Sequence, residues 1–229
     1  SIAHAQCSSK CPMNRCLTAV FMGVGIDLTK MKTLIEETWE NDIIPSLSEY
    51  ICIPALSPAF DPNWQENGHI ENAIQHIADW CKRQDIEGLT VEICRLEGKT
   101  PLIYMEVPGQ IDETVLLYQH ADKQPEFVGW HEGLGPWTPV RRGDKLYGRG
   151  GADDGYGAYA SLTAIRCLQQ QGIPHANLKL IVEASEESGS PDLPEHLEAL
   201  ADRIGTPAMV VCLDSGAGDW DHLWLTTSL

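Results

Sequence analysis

Apolar residues recur at helical spacing in the first third of the chain. Between residues 34 and 51 they fall every three or four positions, and Pro45 interrupts the run, so we expect one helix kinked at that proline. Three prolines then mark a loop, and a second amphipathic helix follows. The positions that define the two helices are Ile35, Trp39, Ile43, Leu47 and Ile51, then Ile70, Ile74, Ile77 and Cys81.

Strand-like apolar runs alternate with helical segments through the rest of the chain. Some runs are continuously apolar, which is typical of strands that are buried on both faces of a sheet. We predict strands at residues 89–96, 102–107, 114–118, 178–184 and 208–213, and helices over 154–172 and 193–204. This alternation predicts an α/β fold with a mostly parallel central sheet.

The chain is strongly acidic. Its 229 residues include 33 Asp and Glu against 16 Lys and Arg, a formal net charge of −17. Such a surface is unsuited to nucleic-acid phosphates and to anionic lipid, and no apolar stretch reaches the roughly 20 residues of a membrane span. We therefore expect neither nucleic-acid nor membrane binding, whereas a metal site built from carboxylates is compatible with this charge.

The eight cysteines lack the close pairs of zinc knuckles. Cys94, Cys167 and Cys212 fall in apolar elements, where we expect reduced, buried thiols and hence a cytoplasmic location. Residues 1–30 are interpreted as a leader of uncertain order. Part of it faintly resembles a signal peptide, but no A-x-A cleavage site follows. Residues 31–229 are interpreted as one domain.

Three predicted strands run into polar residues at their carboxyl ends. They lead to His120 and Asp122, to Glu183, Glu186 and Glu187, and to Asp214. Ligands of open α/β sheets bind at these ends, and one imidazole with several carboxylates favours a divalent metal. The alternative for any one strand is that polar residues simply begin the next loop.

A glycine-rich segment precedes the helix predicted from residue 154. It reads Leu146-Tyr-Gly-Arg-Gly-Gly-Ala-Asp-Asp-Gly-Tyr-Gly157. It has no GK[ST] ending and follows no clear strand, so it indicates neither a P-loop nor a dinucleotide fingerprint. Asp153 and Asp154 stand where the helix begins, and for Asp154 a helix N-cap is the main alternative to a role in the site.

Taken in order, four motifs resemble the two-metal aminoacylase/carnosinase family of metallopeptidases. They are His120-Ala-Asp122, Tyr147-Gly-Arg-Gly-Gly-Ala-Asp153-Asp154, Glu186-Glu187-Ser-Gly-Ser and Leu213-Asp214. The family includes acetylornithine deacetylase, succinyl-diaminopimelate desuccinylase and carnosinase-like dipeptidases, and the last branch looks most similar. Each motif alone is weak, but the ordered set is specific. The resemblance implies a three-layer, zinc-exopeptidase-like domain with helices on both faces of the sheet.

The resemblance implies two divalent metal ions, with zinc expected and manganese as the alternative. His120 and Asp214 would bind the first metal and Glu187 the second, with Asp153 bridging both. It also implies a cis peptide bond between Asp153 and Asp154.

Two further residues would act beside the metals. Glu186 would be the general base, and Asp122 would orient the ring of His120. The rival assignment makes Glu186 a ligand and Glu187 the base. The implied reaction is cleavage of the peptide bond of a dipeptide or short peptide by a metal-bridged hydroxide. The alternatives are an N-acyl amino acid deacylase of the same family and a non-catalytic metal-binding fragment.

The sequence departs from the family pattern at three places. Gly155 stands where a lysine is frequent, and Lys123 stands where an aliphatic residue is usual. The chain also stops at Leu229, before the lid domain and the returning segment that supplies another His ligand; His222 is not expected to replace it. We therefore expect this chain alone to be weakly active or inactive, and the full-length protein to form a homodimer through the lid.

Overall fold

A computed structural model describes residues 25–214 of the chain. Its helices are α1 (Leu28–Thr38), α2 (Ile44–Ile51), α3 (Trp64–Asn67), α4 (His69–Lys82), α5 (Gly157–Gln170), α6 (Leu193–Ala199) and α7 (Ala201–Ile204). Its strands are β1 (Thr90–Cys94), β2 (Leu102–Val107), β3 (Ile111–His120), β4 (Val140–Arg142), β5 (Lys145–Tyr147), β6 (Ala176–Glu183) and β7 (Met209–Cys212). Most of the predicted leader, and His222, lie outside the described residues.

The two predicted N-terminal helices are present. The first is continuous from α1 to α2 through a π-helical turn at Trp39–Ile43, directly before Pro45. Proline lacks an N–H and crowds the preceding turn, so the widened turn is the irregularity that this residue predicts. The second helix is α4, and all four of its predicted core positions are buried.

The central sheet has the order β1-β2-β6-β3-β7. Strand β3 lies between β6 and β7 and pairs with both in parallel, whereas β2 pairs with β1 and β6 in antiparallel fashion. The predicted α/β fold is confirmed, and the sheet is mixed because β2 runs opposite to the other four strands, a direction that the sequence did not indicate. The reason is that a continuously apolar run indicates burial on both faces of a strand and not its direction.

Helices cover both faces of the sheet, as expected. Along β2, Ile103 and Met105 point into the main core with helices α2, α4 and α5, whereas Leu102 and Tyr104 pack on the other face. That second face is covered by α6 and α7. The alternation follows from the two-residue period of a strand. The carboxyl ends of β3, β6 and β7 meet at one edge of this three-layer structure.

Three local predictions need correction. The helix predicted over 193–204 is divided at Leu200 into α6 and α7. Residues 140–147, where no strand is predicted, form a small hairpin, β4–β5. Cys212 is exposed, because β7 is the edge strand of the described sheet, whereas Cys167 is buried as expected. No helix within residues 25–214 has the length and apolar character of a membrane span.

Candidate metal centre

His120 ends β3 and lies at the centre of a group of carboxylates. Its side chain is fully buried. Nδ1 donates a hydrogen bond to the main-chain carbonyl of Asp122 at 3.0 Å, which leaves Nε2 facing the carboxylates. The distances from Nε2 are 3.1 Å to Asp153 Oδ1, 3.7 Å to Asp214 Oδ2 and 3.8 Å to Glu186 Oε2. Carboxylates of three predicted site residues therefore converge on one ring nitrogen of His120.

Asp122 is fully buried and ties together the two strand ends that carry the site. Its two carboxylate oxygens accept hydrogen bonds from the main-chain N–H groups of Glu186, at 3.1 Å, and Glu187, at 3.0 Å. Its Oδ1 also lies 3.5 Å from Nδ1 of His120. The resemblance implies only an orienting role towards His120, and the structure adds that this carboxylate holds the Glu186–Glu187 turn in place.

Asp153 and Asp154 lie in the glycine-rich turn Gly151–Gly155, directly before α5. The peptide bond between them is cis, as the resemblance implies. Asp153 is about half exposed and faces His120. Asp154 is buried, and its Oδ2 accepts a hydrogen bond from the main-chain N–H of His120 at 3.2 Å.

The N-cap alternative for Asp154 is wrong, because α5 begins three residues later and no side chain caps it. Burial raises the pKa of Asp154 to about 7.

Glu186 and Glu187 follow β6 in a single 3-10 turn and point in different directions. Glu186 groups with His120 and Asp214, whereas Glu187 groups with His120 and Asp153. Gln124 donates a hydrogen bond to Oε2 of Glu187. Burial raises the pKa of Glu186 above its usual value and that of Glu187 to about 7.

Asp214 lies two residues after the end of β7 and is the last residue that the structure describes. The peptide unit before it is held by Tyr156, whose hydroxyl donates a hydrogen bond to the carbonyl oxygen of Leu213 at 2.6 Å. Tyr156 belongs to the segment that carries Asp153. The sequence gives no signal for this contact, because it joins residues that are far apart along the chain.

The donor atoms suit a divalent metal. In each of the two groups, one nitrogen and two carboxylate oxygens lie within 4.8 Å of one another, and both groups share His120. Oε1 of Glu187 is buried without a hydrogen-bond partner among the described residues, a costly state that a cation would relieve. Nitrogen and oxygen donors of this kind suit zinc or manganese.

The protonation of His120 shows how much negative charge surrounds it. Burial lowers the pKa of the imidazole, but the hydrogen bonds to Asp122 and Asp153 outweigh burial and raise the pKa to about 11. The site thus favours positive charge at the position of Nε2. The predicted division of ligands, with Asp153 shared and Glu186 free of metal, stays a prediction.

Lys123 supports the site from beneath in a way that the sequence did not indicate. It is fully buried, and Nζ donates hydrogen bonds to the carbonyl oxygens of Tyr50 (2.9 Å), Ile51 (3.4 Å) and Ile53 (2.7 Å). These carbonyl groups lie at and just beyond the end of α2, and those of Tyr50 and Ile53 also accept main-chain hydrogen bonds from the N–H groups of Ile53 and Ala55. The aliphatic stem of Lys123 packs against Gly150, where an added Cβ would lie 2.6 Å from Cε.

Arg149 holds the loop between β3 and β4 through a main-chain carbonyl group. Its Nε donates a hydrogen bond to the carbonyl oxygen of Pro125 at 3.0 Å, and its guanidinium lies 4.0 Å above the ring of Phe127. Trp137 donates from Nε1 to Glu126 at 2.8 Å. Both contacts keep the loop packed beside the residues that lead to the site.

Comparison with known proteins agrees with this geometry. Residues 116–223 match the sequence model of peptidase family M20/M25/M40. An uncharacterised metallohydrolase of Methanocaldococcus jannaschii, MJ0457, is 28% identical over 148 residues, which cover 62% of this chain and 36% of that protein. The Cys-Gly metallodipeptidase dug1 of Schizosaccharomyces pombe is 32% identical over 118 residues, which cover 50% of this chain and 23% of that protein.

A crystal structure shows the same fold. Human carnosine dipeptidase 1 superposes with a TM-score of 0.64 at 25% sequence identity, over 81% of this chain and 40% of that one. The chain therefore spans well under half the length of the relatives that it matches.

Proposed function

Because residues 116–223 match the sequence model of peptidase family M20/M25/M40, we propose that this protein is a metal-dependent hydrolase that cleaves the peptide bond of a dipeptide or short peptide. The observation that carries the proposal is the convergence of carboxylates from three separate segments on Nε2 of His120. A buried imidazole among carboxylates at the carboxyl ends of parallel strands is an arrangement that suits a hydrolytic metal site.

We propose that this group of side chains holds two divalent ions. The expected metal is zinc, and manganese is the alternative. His120 and Asp214 would hold the first, Glu187 the second, and Asp153 both. When bound, the metal pair supplies Lewis acidity towards the substrate carbonyl and lowers the pKa of the attacking water. Asp122 fixes the ring of His120 from the other side, since Nδ1 donates to its main-chain carbonyl.

Glu186 is proposed as the general base. Its carboxylate faces the centre of the site and is about one third exposed, so a water molecule can reach it. Burial raises its pKa towards the working pH, which suits a group that takes a proton from water and returns it to the leaving amine. The bond from its main-chain N–H to Asp122 keeps this side chain in position.

The relatives suggest which substrates to try first. One is named as a Cys-Gly dipeptidase and another as a carnosine dipeptidase, so Cys-Gly and β-Ala-His head the panel. A cytoplasmic location is proposed from the free thiols of the described residues, and fractionation of cells that express the protein tests it. The homodimer stays a proposal that light scattering tests.

The decisive experiment uses the full-length protein and measures hydrolysis of dipeptides and of N-acetyl amino acids in its metal-free, zinc-loaded and manganese-loaded forms. His120→Ala is the test variant, and His69→Ala, at the start of α4, is the matched control. Metal-dependent dipeptide cleavage that only His120→Ala abolishes would support the proposal. Cleavage of N-acetyl amino acids alone would favour the deacylase, and metal binding without turnover would favour the non-catalytic alternative.

A further inference from the structure

We propose that Tyr156 is a positioning residue that holds Asp214 within reach of His120 by fixing the peptide unit between Leu213 and Asp214. The 2.6 Å hydrogen bond from the Tyr156 hydroxyl to the carbonyl oxygen of Leu213 carries this inference. The carbonyl oxygen only accepts, so the phenol is the donor. The inference rests on the proposed metal-dependent function.

The end of β7 needs such support. Strand β7 is four residues long and, within the described chain, pairs on one side only, with β3. The hydrogen bond from the Leu213 N–H to the carbonyl of Tyr118 is long, at 3.4 Å. Among the described residues, no sheet hydrogen bond after this one constrains the direction of the chain. The carbonyl of Leu213 is the group that sets how Asp214 leaves the strand, and Tyr156 binds that group.

Tyr156 is well anchored for this role. Its ring packs against the main hydrophobic core, and its own N–H donates to the carbonyl of Gly151 at 3.1 Å. It stands three residues after Asp153, at the start of α5. The bond therefore links the segment that carries Asp153 to the segment that carries Asp214, and both carboxylates face the same nitrogen of His120.

The test compares two variants that each remove one hydroxyl. Tyr156→Phe removes the bond to Leu213. Tyr159→Phe removes the buried hydroxyl bonded to Ser46 at 3.0 Å, on the same helix but within the core. Zinc affinity is measured by competition with a chromogenic chelator, and site geometry by absorption of the cobalt-loaded protein. We expect Tyr156→Phe to weaken one of the two sites about fivefold, the effect of one ordinary hydrogen bond, and Tyr159→Phe to leave both affinities unchanged.

A double-mutant cycle identifies the residue through which Tyr156 acts. In an Asp214→Asn background, Tyr156→Phe should cause no further loss of zinc affinity. Unchanged binding in Tyr156→Phe, a further loss in the Asp214→Asn background, or failure of Tyr156→Phe to fold would each overturn the positioning role. If the wild-type chain binds zinc at neither site, the proposed function itself fails, and the positioning role with it.

Discussion

The phenol of Tyr118 donates a hydrogen bond of 2.5 Å to Oε1 of Glu183. The same oxygen accepts from Ser190 at 2.7 Å, and Oε2 accepts from Ser185 at 3.1 Å. Three hydroxyl groups thus donate hydrogen bonds to this buried carboxylate. Glu183 ends β6 and lies shortly before Glu186 and Glu187 in the sequence. Glu183 is therefore a framework residue, although the sequence places it in the same acidic run.

Glu183→Gln should lower stability and leave metal binding intact. The amide keeps one acceptor oxygen and replaces a charged acceptor of three hydroxyls, so we expect a loss of about 1–3 kcal/mol in the free energy of unfolding. Chemical denaturation measures the loss, and zinc titration measures the binding. Loss of zinc with unchanged stability would instead place Glu183 among the ligands.

Glu186→Gln should lower turnover 10²- to 10⁴-fold, the usual contribution of a general base, and should retain both metals. Glu187→Gln should lose one metal, because Oε1 of Glu187 is buried and has no hydrogen-bond partner in the described part of the chain. Metal analysis and dipeptide turnover of the two variants check the pair. The reverse pattern would make Glu186 the ligand and Glu187 the base.

Asp122→Asn should destabilise the fold and weaken metal binding together. The carboxylate accepts hydrogen bonds from the main-chain N–H groups of Glu186 and Glu187. In the variant, one of these N–H groups would face the NH₂ group of the amide instead of an acceptor oxygen. We expect a loss of about 2 kcal/mol, or roughly 4–8 °C in Tm. Calorimetry with and without zinc measures both effects, and Asp112→Asn, on an exposed part of β3, is the control. Equal Tm and equal zinc binding in the two variants would refute the role of Asp122 in holding the Glu186–Glu187 turn.

Lys123→Met should remove a pH dependence of stability. Burial lowers the pKa of Lys123 to about 7, whereas an unfolded lysine titrates near 10.4. Between these values the unfolded chain binds one more proton, so this residue makes stability rise with pH, by up to about 1.4 kcal/mol per unit. Denaturation from pH 7.5 to 9.5 should show this rise in the wild type and in the exposed control Lys32→Met, relative to Lys123→Met. Parallel profiles for all three proteins would show that Lys123 stays charged in the folded state.

Gly155→Ala should destabilise the turn that carries Asp153. An added Cβ would lie 2.3 Å from Cε1 of Tyr50 and 2.6 Å from the carbonyl oxygen of Gly150. We expect a loss of about 1–3 kcal/mol from overpacking. Gly25→Ala, with open space around its Cβ, should leave the denaturation midpoint unchanged. An equal denaturation midpoint for the two variants would show that the turn accommodates a Cβ atom at position 155 without loss of stability.

The sequence predicts which side chains gather at the carboxyl edge of the sheet because strand ends are easy to locate. Continuous apolar runs mark β3, β6 and β7, and the parallel pairing of these strands brings their carboxyl ends together. His120, Glu186, Glu187 and Asp214 follow from that rule, and Asp153 follows from the motif. The direction of β2 does not follow, because its apolar pattern is the same in either orientation.

Contacts that depend on the path of a loop cannot be predicted from the sequence pattern. Gln124 reaches Glu187, and Tyr156 reaches Leu213, across 63 and 57 positions. Lysine is usually a surface residue, so the sequence does not indicate that Lys123 is buried. Its buried ammonium group is satisfied by three carbonyl oxygens at and just after the end of α2. Each contact depends on a three-dimensional arrangement that no local pattern encodes.

The central place of β3 in the sheet has a consequence for how the protein is made. Its two parallel partners begin at Ala176 and Met209, and the latter pairs with Val115. Closing such long stretches of chain is slow compared with forming helices or hairpins. On the ribosome, His120 emerges long before Asp214, so these two donor groups come together only when β7 docks. Zinc binding during refolding should therefore be among the slowest steps, and its rate would report the docking of β7 against β3.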